Sequence, residues 1–353
     1  MDLNKLRQQI DKVDKNIIML LNQRAKIALD IGRLKKNEGK SIYCPDRERE
    51  ILRKIVLLNN GPLKPFALEA IYREIMSSSL SLEKKLQIAF LGPIATFTHQ
   101  AALKRFGSQV EYLSCDSIAD VFTEVEKDNV DYGVVPIENS IEGAVNHTLD
   151  MFMDSDLKIC AQVILNISHN LLANCPLEKV KRVYSNPMVF GQCRIWLQKN
   201  LTNVELIEVP STTRASQIAA KEKQSASIAS VIAAKIYRLN LVARDIEDSL
   251  HNITRFFVIG KTEVPATGSD KTSLMFSIID KVGALHEMLS SFRKYGVNLS
   301  KIESRPSKRR AWDYYFFVDL EGHRDEPKVK KALIELENKS KFLKILGSYP
   351  IGE

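Results

Sequence analysis

A group of polar side chains follows a short apolar segment near the middle of the chain. Residues 132–135, Tyr-Gly-Val-Val, form a brief β-branched run that is typical of a buried parallel strand. Pro136 cannot donate to a ladder, so we expect pairing to stop there, with Glu138, Asn139 and Ser140 at the strand's carboxyl end before a helix. Ligands bind at that edge of open α/β sheets, although Asn139 or Ser140 as a simple helix cap is the alternative.

A second group of side chains that could take part in chemistry is cationic and lies near the N-terminus. Apolar residues recur at alternating spacings of three and four from residue 3 to residue 34, which predicts a long helix with a heptad-like seam. Arg24 interrupts this seam, and a buried guanidinium needs an anionic partner or a path to water. Lys35 follows eleven residues later on nearly the same face. The two cations can therefore bracket one dianionic molecule.

Arg7 precedes Arg24 by seventeen residues, which is about 25 Å along a straight helix. That distance is too long for both to hold one small ligand, so a partner subunit packed antiparallel along the seam would have to supply Arg7. The alternative is that Arg7 and Lys35 are solvated surface charges. Further helices are expected from Pro45 and after the break at residues 59–62, so that polar groups enter from three helices.

This segment resembles the all-helical class of chorismate mutase over nearly all of residues 1–85. The resemblance is carried by one set of polar residues: Arg7, Arg24, Lys35, Arg47, Glu48, Ser79 and Glu83. It implies a three-helix chain in an intertwined dimer that binds the dianion chorismate. It further implies that Arg24, Arg47 and a partner-chain Arg7 hold carboxylates, that Lys35 and Glu83 act at the ether oxygen, and that Glu48 binds the substrate hydroxyl while Ser79 completes the site.

Two positions in this segment depart from the usual pattern of the relatives. Cys44 stands where they often carry aspartate, and Glu83 stands where they carry glutamine or glutamate. A glutamate donates a hydrogen bond only when it is protonated, so we expect a raised pKa at Glu83 and a mutase activity that weakens as the pH rises.

The region 86–262 alternates strand and helix signals, which predicts a parallel-type α/β sheet folded as two lobes around a cleft. Strands are expected at 86–91, 130–135, 157–166, 180–184 and 204–209, and helices at 100–106, 118–127, 187–196 and from 212. The loops between them, including residues 252–256, are rich in hydroxyl and amide donors and poor in nucleophile–base pairs. No metal-ligand spacing or glycine-rich nucleotide motif occurs, so no metal and no cofactor are expected.

Four motifs in this region together resemble prephenate dehydratase: residues 92–102, 135–140, 184–193 and 254–256. The resemblance implies that Thr254 is the catalytic hydroxyl donor and that Arg255 is either a carboxylate clamp or a structural brace. It also implies a set of substrate-binding residues: Thr96, Glu138, Asn139, Ser140, Ser185, Gln192, Thr212, Arg255 and Phe256. Ala95 and Asn186 depart from the glycine and histidine that are common in relatives.

The last segment, 272–353, reads as β-α-β-β-α-β, which is a ferredoxin-like α+β signature. It resembles the ACT-type regulatory domain of the same dehydratases. The resemblance implies phenylalanine binding between two chains by two motifs: Gly283, Ala284 and Leu285 at a helix start, and Glu303, Ser304, Arg305 and Pro306 after the second strand. A dimerisation module without ligand is the alternative.

Composition sets the outer limits of the interpretation. At 353 residues, with 44% hydrophobic and 27% charged residues, the chain is long enough for three domains, expected at 1–85, 86–262 and 272–353. No apolar run of some 18 residues or signal-like N-terminus occurs, and the five cysteines lack a pattern, which predicts a cytoplasmic protein without a membrane segment. The net charge of +8 is scattered, apart from residues 308–310, and suits small anionic ligands as well as nucleic acid.

The order of the three segments resembles the bifunctional enzymes of phenylalanine biosynthesis. It implies chorismate and prephenate as substrates, phenylalanine as feedback effector, and a homodimer or homotetramer that binds neither nucleic acid nor membrane. A non-catalytic solute-binding regulator is one rival hypothesis, but binding alone does not require Thr254 or the set around Arg24. A basic nucleic-acid regulator is the other, and the chain lacks a recognition helix.

Overall fold

The computed structural model describes residues 2–38, 43–249, 251–279, 281–307 and 313–351. These residues form two compact units, one of residues 1–87 with 105–111 and one of residues 88–104 with 112–353. Within the described ranges, no helix has the length and apolarity needed to cross a bilayer. The basic cluster at residues 308–310 lies outside the described residues.

The first unit is built on three helices: α1 (Leu3–Asn37), α2 (Pro45–Leu58) and α3 (Pro65–Glu83). The Asp2 side chain caps α1 by accepting from the backbone N–H of Asn4, and prolines open α2 and α3, where a missing N–H costs nothing. The apolar seam of α1 faces outward, with large side chains that are exposed: Leu3, Ile10, Val13, Ile17, Leu20, Ile27, Ile31 and Leu34. One buried residue of α1, Gly32, faces α3.

Two mixed sheets form the α/β part of the chain, nearly all of which lies in the second unit. The first sheet has the order β2-β1-β3-β11-β5, with β4 beside β3, and the second has the order β10-β6-β9-β7-β8. The strands are β1 (Gln87–Leu91), β2 (Glu111–Cys115), β3 (Tyr132–Asn139), β4 (Gly143–Ala144), β5 (Lys158–Asn166), β6 (Asn170–Ala173), β7 (Arg182–Ser185), β8 (Glu205–Glu208), β9 (Ser225–Ala229), β10 (Asn240–Ala243) and β11 (Ile253–Gly260). The helices are α4 (Phe97–Phe106), α5 (Ile118–Glu126), α6 (Asn146–Asp154), α7 (Pro187–Gln192), α8 (Arg194–Asn200), α9 (Thr212–Ala219) and α10 (Val231–Tyr237).

Three expectations about this region were wrong. The sheet is mixed, because β11 runs antiparallel to both β3 and β5. Strand β3 does not stop at Pro136 but continues to Asn139, since a register shift opposite Arg255 and Phe256 leaves Ile137 as an extra residue and places the proline beside that bulge. Residues 253–256 lie in β11, a strand paired on both sides with β3 and β5, and not in a loop.

The C-terminal segment adds β12 (Asp270–Ser277), α11 (Ala284–Lys294), β13 (Leu299–Pro306), β14 (Tyr314–Glu321), α12 (Pro327–Lys339) and β15 (Phe342–Pro350). Its sheet has the order β13-β14-β12-β15, and both helices pack on one cluster of apolar side chains. Residues 303–306 belong to β13, which corrects the expectation that they follow the strand.

The C-terminal segment shares a hydrophobic core with the first α/β sheet. Tyr349, which is fully buried, packs edge-on against Phe257 of β11 with ring centres 5.6 Å apart. The backbones of β15 and β5 also approach closely, because a Cβ built on Gly347 would lie 2.3 Å from the carbonyl oxygen of Ile159. Only glycine fits at this point.

We therefore expect Gly347→Ala to lower the free energy of unfolding by about 1–3 kcal/mol, because neither backbone can yield to the added methyl. Urea unfolding followed by circular dichroism measures the change. Gly191→Ala is the matched control, since a Cβ at Gly191 meets nothing within 4 Å. Equal stabilities for the two variants would show that the close approach is not a packing constraint.

Candidate active sites

The helical unit contains a cavity of about 270 Å³ between its three helices. Six of the seven predicted residues line it: Arg24, Lys35, Arg47, Glu48, Ser79 and Glu83. Arg7, an exposed residue of α1, does not. The cavity thus presents three cations and two carboxyl groups to one small space.

Arg24 finds a hydroxyl partner and not a carboxylate. Its guanidinium donates to Ser79 Oγ at 2.6 Å, and that hydroxyl donates to the carbonyl of Ile75 at 2.9 Å. The positive charge of Arg24 is therefore oriented without being neutralised by this contact. Lys35 Nζ donates to Cys44 Sγ at 3.4 Å, so the cysteine that departs from the family pattern is in contact with this lysine.

Glu83 is held in a setting that favours its protonated form. Burial raises the pKa of Glu83, against the opposing effect of Lys35 and Arg24. Its Oε2 is buried without a hydrogen-bond partner, so this oxygen is available to form a hydrogen bond with a ligand. Gly32 provides the space, since a Cβ there would lie 2.7 Å from Glu83 Cγ.

The two remaining polar residues of the cavity differ in exposure. Arg47 pairs with Glu50 on its own helix, and its side chain is 58% exposed. The Glu48 carboxylate is enclosed, and burial raises its pKa although Arg105 and other cations oppose the shift. Arg105 was not anticipated from the sequence, because nothing in the spacing of residues 1–85 points to it.

The second site is a chain of amide and hydroxyl groups in the α/β part. The Asn139 Nδ2 group donates to Thr254 Oγ1 and to Asn252 Oδ1, both at 2.8 Å. Asn252 Nδ2 donates in turn to Gln192 Oε1 at 3.1 Å, and that oxygen also lies 2.8 Å from His169 Nε2. The network joins the ends of β3 and β11 to α7 and to the start of β6.

This network assigns the direction of each hydrogen bond. Asn139 Oδ1 accepts from the backbone N–H groups of Ile141 and Glu142, which fixes its amide orientation and commits both amide hydrogens to Asn252 and Thr254. Thr254 Oγ1 is therefore an acceptor toward Asn139, and its own proton remains to be donated elsewhere.

His169 takes part as a neutral ring. Burial lowers its pKa, and Gln192 Oε1 can only accept, so the proton resides on Nε2. Its Nδ1 is buried without a partner. Sequence reasoning did not assign Asn252 or His169 a role, and the only available signal was the position of Asn252 beside the Thr254 motif.

Glu138 and Arg255 lie on the opposite face of the sheet from Asn139 and Thr254, because successive strand residues alternate between faces. Arg255 donates to Asp319 Oδ2 at 2.5 Å and to the hydroxyl of Tyr349 at 2.8 Å. It also donates to Gln162 Oε1 at 2.8 Å, and Glu138 is 3.7 Å away. The guanidinium thus joins β11 to its two neighbouring strands and to the C-terminal segment.

Other predicted residues are occupied with local structure. Thr96 Oγ1 donates to the carbonyl of Leu91, Ser140 Oγ to that of His251, and the fully buried Ser185 Oγ to that of Ile228. Phe256 is 2% exposed. Thr212, which is half-buried, is the first residue of α9.

The two departures in this region have clear structural roles. Ala95 adopts the left-handed backbone conformation, with φ of 76°, at a cost of about 1–3 kcal/mol, and its carbonyl accepts from Ser230 Oγ. Asn186 caps α7 by accepting from the backbone N–H of Met188, and it donates to the carbonyl of Pro210. Both residues are thus held by hydrogen bonds within this chain.

The predicted effector residues form two groups in the C-terminal segment. Gly283 has a φ of 79° and precedes α11, which begins at the buried Ala284 and continues with the half-buried Leu285. In β13, Glu303 and Arg305 alternate with exposed Ser304 and Pro306. Arg305 forms a two-pronged ion pair with Asp150 of α6, with nitrogen–oxygen distances of 3.0 to 3.2 Å.

Across the described residues, no group of three histidine, cysteine or acidic side chains is placed to hold a metal ion. The fold and the two sites define a multidomain enzyme for small anionic substrates, with a helical cationic cavity and a hydroxyl–amide site. Sequence models of known families match each part: chorismate mutase type II at residues 6–84, prephenate dehydratase at 88–264 and the ACT domain at 272–338.

Two curated relatives match the chain along almost its whole length. The bifunctional chorismate mutase/prephenate dehydratase of Aquifex aeolicus is 53% identical over 99% of this chain and 98% of its own length. That of Stutzerimonas stutzeri is 44% identical over 99% and 97%. Among solved structures, the prephenate dehydratase of Arthrobacter aurescens in complex with L-Phe is 32% identical, with a TM-score of 0.70, covering 75% of this chain and 90% of its own. The chain belongs to the bifunctional chorismate mutase/prephenate dehydratase family.

Removal of the Arg255 side chain should be strongly destabilising, because it leaves Asp319 as an uncompensated buried charge. We expect Arg255→Met to lower the free energy of unfolding by about 3–5 kcal/mol in urea titrations, and the double variant with Asp319→Leu to recover part of the loss. Arg182→Met is the control, since Arg182 and Glu222 form an exposed pair of side chains that are 38% and 39% accessible. If Arg182→Met lowered the free energy of unfolding by as much as Arg255→Met, the special importance of the buried pair would be contradicted.

Proposed function

We propose that this chain catalyses two consecutive steps of phenylalanine biosynthesis and is inhibited by the end product. The helical domain, residues 1–85, rearranges chorismate to prephenate, and the α/β domain, residues 86–262, converts prephenate to phenylpyruvate. The observation that carries the proposal is that one chain of this family has both a cationic cavity with a buried acid and a threonine hydroxyl oriented by an amide network.

The mutase step is a unimolecular pericyclic rearrangement, so fixed geometry and electrostatic stabilisation must supply the rate. In the cavity, Arg24 and Arg47 bind the two carboxylates. Lys35 and protonated Glu83 donate hydrogen bonds to the ether oxygen, whose negative charge grows as the carbon–oxygen bond breaks. Glu48 accepts a hydrogen bond from the substrate hydroxyl, and Ser79 orients Arg24.

The substrate site is completed by a second copy of the chain. The exposed apolar seam of α1 needs a partner of matching pattern, and an antiparallel copy would bring its own Arg7 toward the cavity. This supports the intertwined arrangement of the family, in a homodimer or homotetramer.

The dehydratase step removes the ring carboxylate as carbon dioxide and the ring hydroxyl as water, and the electron pair of the broken carbon–carbon bond completes the aromatic ring. Thr254, whose oxygen already accepts from Asn139, donates its proton to the departing hydroxyl, which leaves as water, and solvent returns a proton to Oγ1 to complete the cycle. The Gln192 amide nitrogen and the hydroxyl of Thr212 then orient the substrate, with Thr96, Ser140, Ser185 and Phe256 shaping the site. Of the two roles considered for Arg255, the contact with Asp319 supports the brace.

Residues 272–353 form the regulatory domain, for which the strand order and the βαββαβ sequence support a ferredoxin-like fold. We assign phenylalanine to a site between two chains formed by residues 283–285 and 303–306, on the resemblance carried by these two motifs. The dehydratase of Arthrobacter aurescens was solved with L-Phe, which supports phenylalanine as the ligand. Feedback then requires that phenylalanine bind more tightly to a less active state.

The deciding experiment supplies chorismate to the purified chain and follows its loss and the formation of phenylpyruvate, with and without phenylalanine. We expect both reactions in the wild type, less phenylpyruvate with phenylalanine, and accumulation of prephenate in Thr254→Ala, because no proton reaches the leaving hydroxyl. Thr267→Ala, at a threonine outside both sites, is the control. A Thr254→Ala protein that keeps most of its dehydratase turnover would refute the assigned role.

The mutase should lose activity as the pH rises through the raised pKa of Glu83, since only the protonated carboxyl donates to the ether oxygen. We expect Glu83→Gln to flatten this alkaline limb, because an amide donates at every pH. The measurement is kcat/KM for chorismate across the pH range. An unchanged alkaline limb in the variant would count against a donor role for Glu83.

A further inference from the structure

Arg105 lies outside the residues that match the chorismate mutase family, which end at 84, and inside those that match prephenate dehydratase. It nevertheless belongs to the helical unit, which consists of residues 1–87 and 105–111. It stands near the end of α4, and its side chain is 19% exposed.

Tyr43 holds the Arg105 guanidinium through two contacts. Its Nε donates to the hydroxyl of Tyr43, and its carbon atom lies 5.3 Å from the centre of the same ring. Tyr43 is itself 3% exposed, and Phe106 packs against its ring with centres 5.0 Å apart. The guanidinium is therefore fixed in position before any substrate binds.

The fixed guanidinium contacts a carboxylate of the mutase cavity. Arg105 Nη2 lies 3.0 Å from Glu48 Oε2, and the Glu48 side chain is 13% exposed. Glu48 also lines the cavity. Its carboxylate can therefore contact a ligand in the cavity while it is paired with Arg105. A charge-assisted bond of this kind is stronger and more directional than a neutral one.

We propose that Arg105 is a positioning residue of the mutase reaction, which holds the Glu48 carboxylate charged and aimed at the substrate hydroxyl. The inference rests on the proposed role of Glu48 as the acceptor for that hydroxyl. It means that a residue encoded in the dehydratase segment is part of the working mutase site.

The electrostatics around Glu48 support this assignment. Burial raises its pKa, and Asp46 adds to the rise, while three cations oppose it: Arg105, Arg73 and Lys35. Arg105 is the largest of these opposing influences. Loss of its charge would therefore raise the pKa of Glu48 further and leave a larger fraction of the carboxyl protonated, a form that accepts the substrate hydroxyl less well.

The full-length variants Arg105→Gln and Arg105→Lys test the proposal through the pH dependence of mutase kcat/KM. We expect the acid limb of Arg105→Gln to move up by about one pH unit, which is about a tenfold loss at a pH below both pKa values. Arg105→Lys keeps the charge, so its acid limb should stay close to that of the wild type. The alkaline limb, assigned to Glu83, should not move in either variant.

Three controls make the result decisive. Turnover of supplied prephenate by the same preparations should stay within about twofold of the wild type, which reports an intact dehydratase. Arg33→Gln removes an exposed arginine whose pair with Asp30 is 76% and 69% accessible, and it should leave the mutase profile unchanged. Tyr43→Phe, which removes only the hydroxyl that Arg105 contacts, should move the acid limb in the same direction by less.

The outcomes separate the inference from the proposed function. If kcat/KM of Arg105→Gln falls equally at every pH and the acid limb does not move, Arg105 has only a structural role and the inference is overturned. A pH profile of Arg105→Gln equal to that of the wild type would also overturn it. Glu48→Gln addresses the underlying role: if that variant keeps full mutase activity, the assignment of Glu48 fails, whatever Arg105 does. Loss of activity in Glu48→Gln together with a shifted limb in Arg105→Gln supports both.

Discussion

The buried ion pair between Arg255 and Asp319 is the interaction on which the second unit depends. Because side chains alternate along β11, the hydroxyl of Thr254 faces the amide network while the guanidinium of Arg255 faces the C-terminal segment. A displacement of β11 that moved one side chain would also disturb the other. The strand that carries Thr254, whose hydroxyl we propose as the proton donor of the dehydratase, is therefore anchored on its opposite face by a charge pair that is costly to break.

The two proposed sites would bind a small anionic substrate in different ways. The helical cavity presents permanent cations, and burial raises the pKa of both of its carboxyl groups, Glu83 and Glu48, against the opposing effect of nearby cations. The α/β site uses neutral groups, where Asn139 and the neutral ring of His169 fix the direction of each hydrogen bond. In both proposed sites, a supporting residue restricts the state of the group that we assign to contact the substrate.

Much of the domain order and of the two proposed sites could be predicted from the sequence, because these features depend on patterns among residues that are close along the chain. The spacing of Arg24 and Lys35 on one helical face predicted their shared cavity, which the structure contains. The end of β3 could not be predicted, since whether Pro136 interrupts pairing depends on a bulge set by a strand more than 100 residues away. Arg105 and Asp319 were missed for the same reason, because their partners are distant in sequence and only the tertiary fold brings them together.

The close approach at Gly347 and the burial of Tyr349 have a consequence for how such proteins diversify. The C-terminal segment and the first α/β sheet contribute side chains to one shared hydrophobic core, so each would expose apolar side chains if the other were removed. If recombination between relatives exchanged this C-terminal segment, the two sides of the shared core would come from different proteins and would pack poorly. Changes in effector response should consequently accumulate by substitution within the existing module and not by its replacement.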